Sequence, residues 1–396
     1  LINLGISVAK FSVYKQAFND TCESVKENIY LPSIKVLPWH KECLLEAESI
    51  PFLINLQNLV YRIRQSLAKL EVSHLYLNDP IDEKLMWSGL QKETGLRVKK
   101  IGEKFYVIEI KKNSSASENN IQFGDQLVRI NGDSYFNDED VKYSSGTFEF
   151  IRGNKVNQLI LELKEVKVDQ EPYVVEVNNS LGLLNISSFR SEYFEDSKWK
   201  KTLSEIFKYK TLVIDLRNNW GGNFISMLRA ISPYFCKEEY LGNLGAEDPD
   251  GNGQPLLNDL DDNLQYKFIK KHKRVALKSF QDYGCFKNRV FVFVNENTGS
   301  VAEIFTQIMK QKNRATVIGQ TTSGQVLLAV WYSMPLLGKG FTLSIPEANF
   351  FDLNEESFEG YGVEPNVHTD YNEKDLIMGK DSYIESVKKQ LLHTSI

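Results

Sequence analysis

The sequence predicts a multidomain α/β protein: a helical N-terminal part, a small β-rich part and a larger core of βαβ character. Its 396 residues exceed what a single hydrophobic core usually holds, so two or three domains are expected. The apolar pattern changes from helical to strand-like spacing near residue 90. Beyond residue 170, short apolar runs alternate with helix-like segments, as in a parallel sheet. We expect domains at 1–85, 86–167 and 168–396.

The composition argues against several classes of function. Hydrophobic residues make up 42% of the chain and charged residues 25%, as in ordinary globular proteins. No apolar run approaches the roughly 18 residues of a membrane span, so an integral membrane protein is not expected. A net charge of −5 argues against nucleic-acid binding. The four cysteines lack CxxC spacing, so neither a zinc site nor a thioredoxin-like redox motif is indicated, and a metal cofactor is not expected.

The N-terminal part is predicted to be helical as far as residue 80. Apolar residues recur there at three- and four-residue spacing, for example between Phe52 and Leu67. The pair Ser73-His74 comes shortly before a break at Asn78-Asp79-Pro80. This pair is therefore expected near the end of an element.

The second part is predicted to form short alternating strands. These strands are Leu96–Lys100, Phe105–Ile110, Gln126–Ile130 and Leu159–Leu163. The run from Phe123 to Asp133 reads FGDQLVRINGD and resembles the GD-x-L-x-x-I-N-G signature of PDZ domains. That resemblance implies a module that binds an extended peptide as an added strand. A generic small β-barrel, in which Asn131-Gly132 is only a hairpin turn, is the alternative.

The third part is predicted to contain buried strands, each followed by a turn and a helix. Leu212–Leu216 and Val290–Val294 are short apolar runs suited to a parallel sheet. The stretch Gly242–Asp262 is acidic and rich in Gly and Asn, which predicts a surface insertion.

A polar turn follows each of these two strands. The first turn carries Gly221 and Gly222 ahead of a helix, where exposed N–H groups can hold an oxyanion, although paired glycines often serve only a tight connection. The second turn leads to Ser300-Val301-Ala302-Glu303, which fits the pattern S-x-x-E. Taken alone, that pattern predicts a helix-capping box and no chemistry.

Together the two turns resemble peptidase family S41, the family of C-terminal-processing proteases and tricorn. The first reads D-L-R-N-N-x-G-G and the second N-x-x-T-x-S-x-A-E. Two later segments, Val317–Gly324 and Glu359–Val367, resemble the family in the same order, although Asn366 stands where an Asp is usual. The resemblance implies a ClpP- or crotonase-like core with Ser300 as the nucleophile. It also implies an oxyanion hole formed by the backbone N–H groups of Gly221 or Gly222 and of Val301.

The residue that activates Ser300 separates two branches of this family. One branch uses a lysine in a T-x-G-K turn, but here Thr322-Ser323-Gly324 is followed by Gln325, which argues against a Ser-Lys pair. The tricorn-like branch uses a histidine beside a serine, oriented by a late glutamate. By resemblance, the site then comprises Ser300, the general base His74, and its supports Ser73 and Glu359. The competing bases are His40 and Lys339.

The sequence thus predicts a serine endopeptidase that cleaves proteins or peptides without a cofactor, with substrates recruited through the PDZ-like module. Two rivals remain: a binding protein for a hydrophobic ligand on the same fold, and a scaffold that collects protein C-termini while Ser300 only caps its helix. The resemblance favours export to a bacterial periplasm or cell envelope, although residues 1–10 have no signal-peptide pattern. The four cysteines show no clear pairing, although Cys22 and Cys43 could bridge two helices.

Overall fold

The structure is a computed structural model that describes residues 2–245, 254–272 and 274–393. Its N-terminal part consists of α1 (Ile2–Asn28), α2 (Ser33–Glu48), α3 (Leu56–Ala68), β1 (Tyr76–Asn78) and α4 (Pro80–Ser88). A disulfide between Cys22 and Cys43 joins α1 to α2, as their spacing allows. The apolar faces of these helices pack on Leu343 and Ile345 of the core. The helical part is therefore attached to the core through a shared hydrophobic cluster.

The β-rich part contains a five-stranded antiparallel sheet, with the order β3-β4-β5-β6-β7, and a separate pair of strands, β2 and β8. The elements are β2 (Leu90–Glu93), β3 (Leu96–Ile101), β4 (Lys104–Ile110), α5 (Ser115–Glu118), β5 (Gln126–Ile130), α6 (Asp138–Tyr143), β6 (Gly146–Arg152), β7 (Lys155–Leu161) and β8 (Lys164–Lys167). Phe148 and Phe150 are buried in a hydrophobic cluster that belongs to this part alone. Ser114 caps the short helix α5.

The remainder of the chain is built around two six-stranded sheets. Its strands are β9 (Tyr173–Asn178), β10 (Leu181–Asn185), β11 (Thr211–Asp215), β12 (Tyr240–Gly245), β13 (Gln254–Pro255), β14 (Arg274–Lys278), β15 (Arg289–Val294), β16 (Thr316–Gly319), β17 (Leu327–Ser333), β18 (Thr342–Phe351) and β19 (Val367–His368). Its helices are α7 (Asp196–Ile206), α8 (Phe224–Ile231), α9 (Asp262–His272), α10 (Val301–Gln311), α11 (Glu373–Ile377) and α12 (Ser382–His393).

The first of these sheets brings the two polar turns together. Its order is β9-β10-β11-β15-β16-β19, and its strands run parallel except for β9. The strands β11 and β15 are neighbours, so their carboxyl ends lie at the same edge of the sheet. The helices α8 and α10 begin shortly beyond that edge, where ligands bind in open parallel sheets.

The second sheet corrects one prediction from the sequence. Its strand order is β13-β14-β12-β18-β1. A sixth strand, β17, also pairs with β18, along the edge opposite to the one that pairs with β12 and β1. Gly242–Gly245, assigned to the surface insertion, lie buried in β12 between β14 and β18. A Cβ at Gly242 would lie 2.6 Å from the Phe351 carbonyl oxygen, so this glycine marks close packing and not a loop. Residues 246–253 of the predicted insertion lie outside the described residues.

Two further features concern the chain as a whole. A second disulfide joins Cys236 to Cys285. None of the described helices has both the length and the apolar character that crossing a membrane requires.

Candidate active site

Ser300 begins α10 in a strained backbone conformation. Its φ is 56° and its ψ is −131°, in a region that residues with a side chain rarely adopt. Such strain costs on the order of 1–3 kcal/mol and is concentrated at functional sites. The Glu303 half of the predicted capping box is formed, because the Ser300 N–H donates to Glu303 Oε2 at 3.1 Å, whereas among the described residues the Ser300 side chain makes no capping hydrogen bond. Capping therefore does not exclude a chemical role, because an ordinary cap needs no positive φ.

Glu303 ties the serine turn, residues 295–300, to the turn at 322–325. Its carboxylate is fully buried and accepts hydrogen bonds from Thr322 Oγ1 at 2.5 Å and Ser323 Oγ at 3.1 Å. It also accepts from the N–H groups of Gly324 at 2.7 Å and Gln325 at 2.8 Å. Burial raises the pKa of Glu303, and these hydrogen bonds oppose that effect. The sequence suggested only a capping role for Glu303, because its partners at 322–325 are about twenty residues away.

The backbone near Ser300 offers two N–H groups suited to an oxyanion. The Gly221 N–H donates to Asn219 Oδ1 at 2.8 Å, so it is already engaged. In the described part of the chain, neither the Gly222 N–H nor the Val301 N–H has an acceptor. Phe189 pairs with the residues on either side of Gly222, so the Gly222 N–H points away from that partner. Of the glycines that the sequence left open, Gly222 is therefore the one with an available donor.

Gly221 has a different role, which is to allow close contact with Ser300. Its φ is 96°, and a Cβ at this position would lie 2.5 Å from Ser300 Cβ. The same Cβ would lie 3.1 Å from the Val301 nitrogen. Only glycine fits here, because a side chain would displace the serine and the neighbouring N–H group.

Hydrogen bonds hold the glycine turn, residues 216–222, against the serine turn. Asn219 is fully buried, and its backbone carbonyl accepts the Gly299 N–H at 2.9 Å. Asn218 and Asn295 are joined by two hydrogen bonds, each 2.9 Å long. The two turns are thus fixed relative to each other before any ligand binds.

His74 lies in the histidine turn, residues 72–74, between α3 and β1. Its φ is 60°, and its Nδ1 atom lies 2.8 Å from Ser73 Oγ. Its carbonyl accepts a hydrogen bond from Ser344 Oγ at 2.7 Å, which ties this turn to β18. Burial lowers the pKa of His74 to about 4, so the ring is neutral at pH 7.

Glu359 connects the histidine turn to the start of β17. Its Oε1 accepts the Ser73 N–H at 3.0 Å, and its Oε2 accepts the Val326 N–H at 2.8 Å. The predicted contact with Ser73 therefore exists, but it is made through the backbone and not through the hydroxyl group. The carboxylate fixes the turn that carries His74.

Ser300 and His74 line the same cavity, which has a volume of about 2830 Å³ and extends between the helical, β-rich and core parts. Gly222 and Gln325 line it as well. In the described part of the chain, no hydrogen bond joins His74 to Ser300. The competing base His40 is bonded to Glu23 at 2.8 Å, and neither it nor Lys339 is among the residues that line this cavity.

Comparison with known proteins identifies the core. Residues 180–369 match the family model described as "Peptidase family S41". A "Probable CtpA-like serine protease" of Staphylococcus epidermidis is 23% identical over 352 residues, which cover 83% of this chain and 66% of that protein. The protein of the same description from Staphylococcus aureus strain COL is 23% identical over 285 residues, covering 70% of this chain and 52% of its own length. The chain thus spans between half and two thirds of these relatives.

Solved structures share the fold. The photosystem II D1 C-terminal processing protease aligns with a TM-score of 0.56 at 16% identity, covering 93% of this chain and 98% of that one. Mature CPAF complexed with lactacystin aligns with a TM-score of 0.61 at 14% identity, covering 95% of this chain and 97% of that one. The tricorn protease aligns with a TM-score of 0.56 at 17% identity, covering 97% of this chain and 37% of that one. These alignments confirm the mixed α/β fold. The match of residues 180–369 shows that the core of the chain is similar to peptidase family S41.

Proposed function

We propose that this chain is a serine endopeptidase that hydrolyses peptide bonds through an acyl-enzyme on Ser300, with His74 as the general base. One observation carries the proposal. Ser300 is held in a strained conformation next to the two unpaired N–H groups of Gly222 and Val301, in a cavity that His74 also lines. A strained strand-to-helix turn of this kind exposes a serine hydroxyl beside donors for a developing oxyanion.

The proposed reaction follows from these positions. His74 Nε2 accepts the hydroxyl proton as Ser300 Oγ forms a bond with the substrate carbonyl carbon, and the N–H groups of Gly222 and Val301 stabilise the oxyanion. The imidazolium then gives the proton to the leaving amine, and the C–N bond breaks. A water molecule, deprotonated by His74, hydrolyses the ester and releases Ser300.

Ser73 and Glu359 act as positioning residues for this base. The reaction requires the tautomer in which His74 Nδ1–H donates to Ser73 Oγ, because Nε2 must keep its lone pair. Glu359 holds the Ser73 backbone at 3.0 Å and so controls the direction of the ring. We infer that substrate binding brings His74 Nε2 within hydrogen-bond distance of Ser300 Oγ, a contact that is often longer in a free enzyme.

The β-rich part, 86–167, is proposed to be a PDZ-like domain that recruits the substrate. The groove between β3 and α6 supports this, because Val98 and Tyr143, on its two sides, line the cavity that holds Ser300. An extended peptide end would add to β3 as a strand. Residues 1–85 would then form a helical domain and residues 168–396 the catalytic core. The substrate would reach Ser300 of the core from this groove.

We also propose that the protein is exported to a bacterial periplasm or cell envelope. Cys22–Cys43 and Cys236–Cys285 are both disulfides, and every described cysteine is paired. Disulfides form and persist mainly in oxidising compartments.

Incubation with an unfolded protein tests the peptidase activity. Reduced, carboxymethylated α-lactalbumin is incubated with the parent chain and with Ser300→Ala, and new product ends are read by mass spectrometry. We expect new ends from the parent only, with both proteins folded by circular dichroism. A folded parent that cleaves nothing would overturn the proposal and favour a non-catalytic binding role. Equal cleavage by the variant would remove Ser300 as the nucleophile.

A further inference from the structure

The strand β17 has an open edge inside the cavity. Among the described strands it pairs only with β18, and no other described segment hydrogen-bonds to the backbone of 327–333. Leu327–Trp331 are consecutive, and all five line the cavity. Because side chains alternate between the two faces of a strand, consecutive lining residues mean that the cavity runs along the edge of the strand. Unpaired N–H and C=O groups along such an edge can receive another strand.

This edge begins at the proposed catalytic residues. The Gln325 N–H binds Glu303, which in turn holds Ser300, and the Val326 N–H binds Glu359, which holds the histidine turn. Leu327 follows directly, so β17 starts where both halves of the proposed site are tied together. Its far end at Trp331 lies about 13 Å further along, given the usual rise of a strand.

An exposed aromatic pair marks the far end of the edge. Trp331 and Trp87 of α4 have ring centroids 5.7 Å apart in an edge-to-face arrangement. The rings are 39% and 54% exposed, although large aromatic side chains are usually buried. Arg190 donates to the Trp87 carbonyl at 2.9 Å and so holds the end of α4 in place. Both tryptophans line the cavity.

We propose that β17 is the docking strand for the substrate and that Trp87 and Trp331 form a subsite for one large apolar side chain. The occupant is an extended polypeptide that pairs with the β17 edge. The pairing places the apolar side chain roughly four residues from the bond that is cleaved. Only the position of that bond rests on the proposed peptidase function. The docking itself follows from the open edge, the cavity and the aromatic pair.

Cleavage mapping tests the distance from the subsite to the bond. The probes are 12-residue peptides of Gly, Ser and Lys with a single Phe at successive positions. We expect cleavage at a constant separation of about four residues from the Phe. Trp331→Ala and Trp87→Ala should lose this preference, with kcat/KM for the Phe peptides falling about tenfold, as for a buried aromatic anchor. Trp331→Phe should restore it.

Matched controls separate a local effect from misfolding. Tyr61→Ala removes another exposed aromatic ring, on α3, which is not among the residues that line the cavity, and should leave the preference intact. The rate of labelling of Ser300 by a fluorophosphonate should be equal in the parent and in Tyr61→Ala, and thermal melting shows whether Trp331→Ala and Trp87→Ala are folded. An unchanged cleavage pattern in folded Trp331→Ala and Trp87→Ala would overturn the subsite.

Binding to Ser300→Ala tests the docking without catalysis. A fluorescein-labelled Phe peptide should bind this variant about tenfold more tightly than it binds the double variant with Trp331→Ala, as measured by anisotropy. N-methylation at alternate backbone positions should weaken binding, because every second N–H of a paired strand faces its partner. If every N-methylated peptide binds equally well, docking on β17 is wrong. If the parent cleaves nothing but this pattern holds, the docking stands and the peptidase proposal fails.

Discussion

The serine turn and the histidine turn are held in place by different means. The serine turn follows a buried parallel strand. The buried Glu303 carboxylate and the backbone carbonyl of Asn219 tie it to two neighbouring segments. The histidine turn lies between a helix and a short edge strand, and Glu359 and Ser344 attach it to the core. The proposed nucleophile and oxyanion donors are therefore held rigidly, whereas the proposed base depends on contacts with another part of the chain. The position of the base is thus where substrate binding can influence the reaction.

The largest effect is expected from removing the base. His74→Ala should reduce kcat by about 10³ or more, because Ser300 would have no proton acceptor. The matched control is His40→Ala, which removes the competing histidine paired with Glu23 and should retain turnover. The readout is single-turnover hydrolysis with thermal melting of each variant. Full activity in folded His74→Ala would instead direct attention to Lys339 and His40.

The second largest loss of kcat is expected from disturbing the serine turn. Gly221→Ala places a methyl group 2.5 Å from Ser300 Cβ and should lower kcat by roughly 10²–10³, the size of losing one oxyanion donor. Gly102→Ala is the control, since its φ of 60° is also positive but no atom lies within 4 Å of the added Cβ. Equal turnover in both variants would show that the serine turn is less rigid than its contacts indicate.

Glu303 and Glu359 should differ in whether they control stability or turnover. Glu303→Gln should lower stability by about 1–3 kcal/mol, because the buried amide would direct N–H groups at donors that now bind a carboxylate. Glu359→Gln should leave stability nearly unchanged and lower kcat by less than about 10²-fold, the cost of a misplacement of roughly 1 Å. Denaturant unfolding and turnover, measured on both variants, separate these effects. If Glu359→Gln lost more stability than Glu303→Gln, the roles given to these two glutamates would be wrong.

The pH dependence depends on the burial of the base. Only neutral His74 accepts a proton, and its pKa is lowered to about 4, so kcat/KM should rise with pH and level off by about pH 5. Stability should fall as pH decreases through the range between about 6.5 and about 4, because the unfolded chain binds a proton there first. A rise in kcat/KM centred near pH 6.5 would mean that the ring is solvated in the working enzyme.

The smallest effect is expected from a change at Gln325. By resemblance, this residue occupies the position of the lysine in the T-x-G-K turn of the Ser-Lys branch. Its backbone N–H, and not its side chain, binds Glu303 at 2.8 Å. Gln325→Ala should therefore keep kcat within about threefold, since surface-type changes of this kind usually shift energies by less than about 0.5 kcal/mol. A loss as large as that of His74→Ala would require another account of the base.

Local patterns in the sequence were sufficient to locate the two buried strands that precede the polar turns. The runs Leu212–Leu216 and Val290–Val294 correspond to β11 and β15 within one residue, because apolar β-branched runs of this length specify buried strands. The same reasoning failed at β12, where Gly242 and Asn243 read as loop residues. Their burial depends on Phe350 and Phe351, which lie more than a hundred residues away.

Short motifs in the sequence are enough to indicate the resemblance to family S41 and the candidate residues Ser300, His74 and Glu359. The tertiary structure alone decided which glycine N–H is available, how Glu359 contacts Ser73 and which segments Glu303 joins. It also decided that β17 has an open edge. Each of these depends on which turn lies beside which, and a hydrogen bond has no partner until the chain has folded. Motifs thus identify the residues of a site, but only packing assigns their partners.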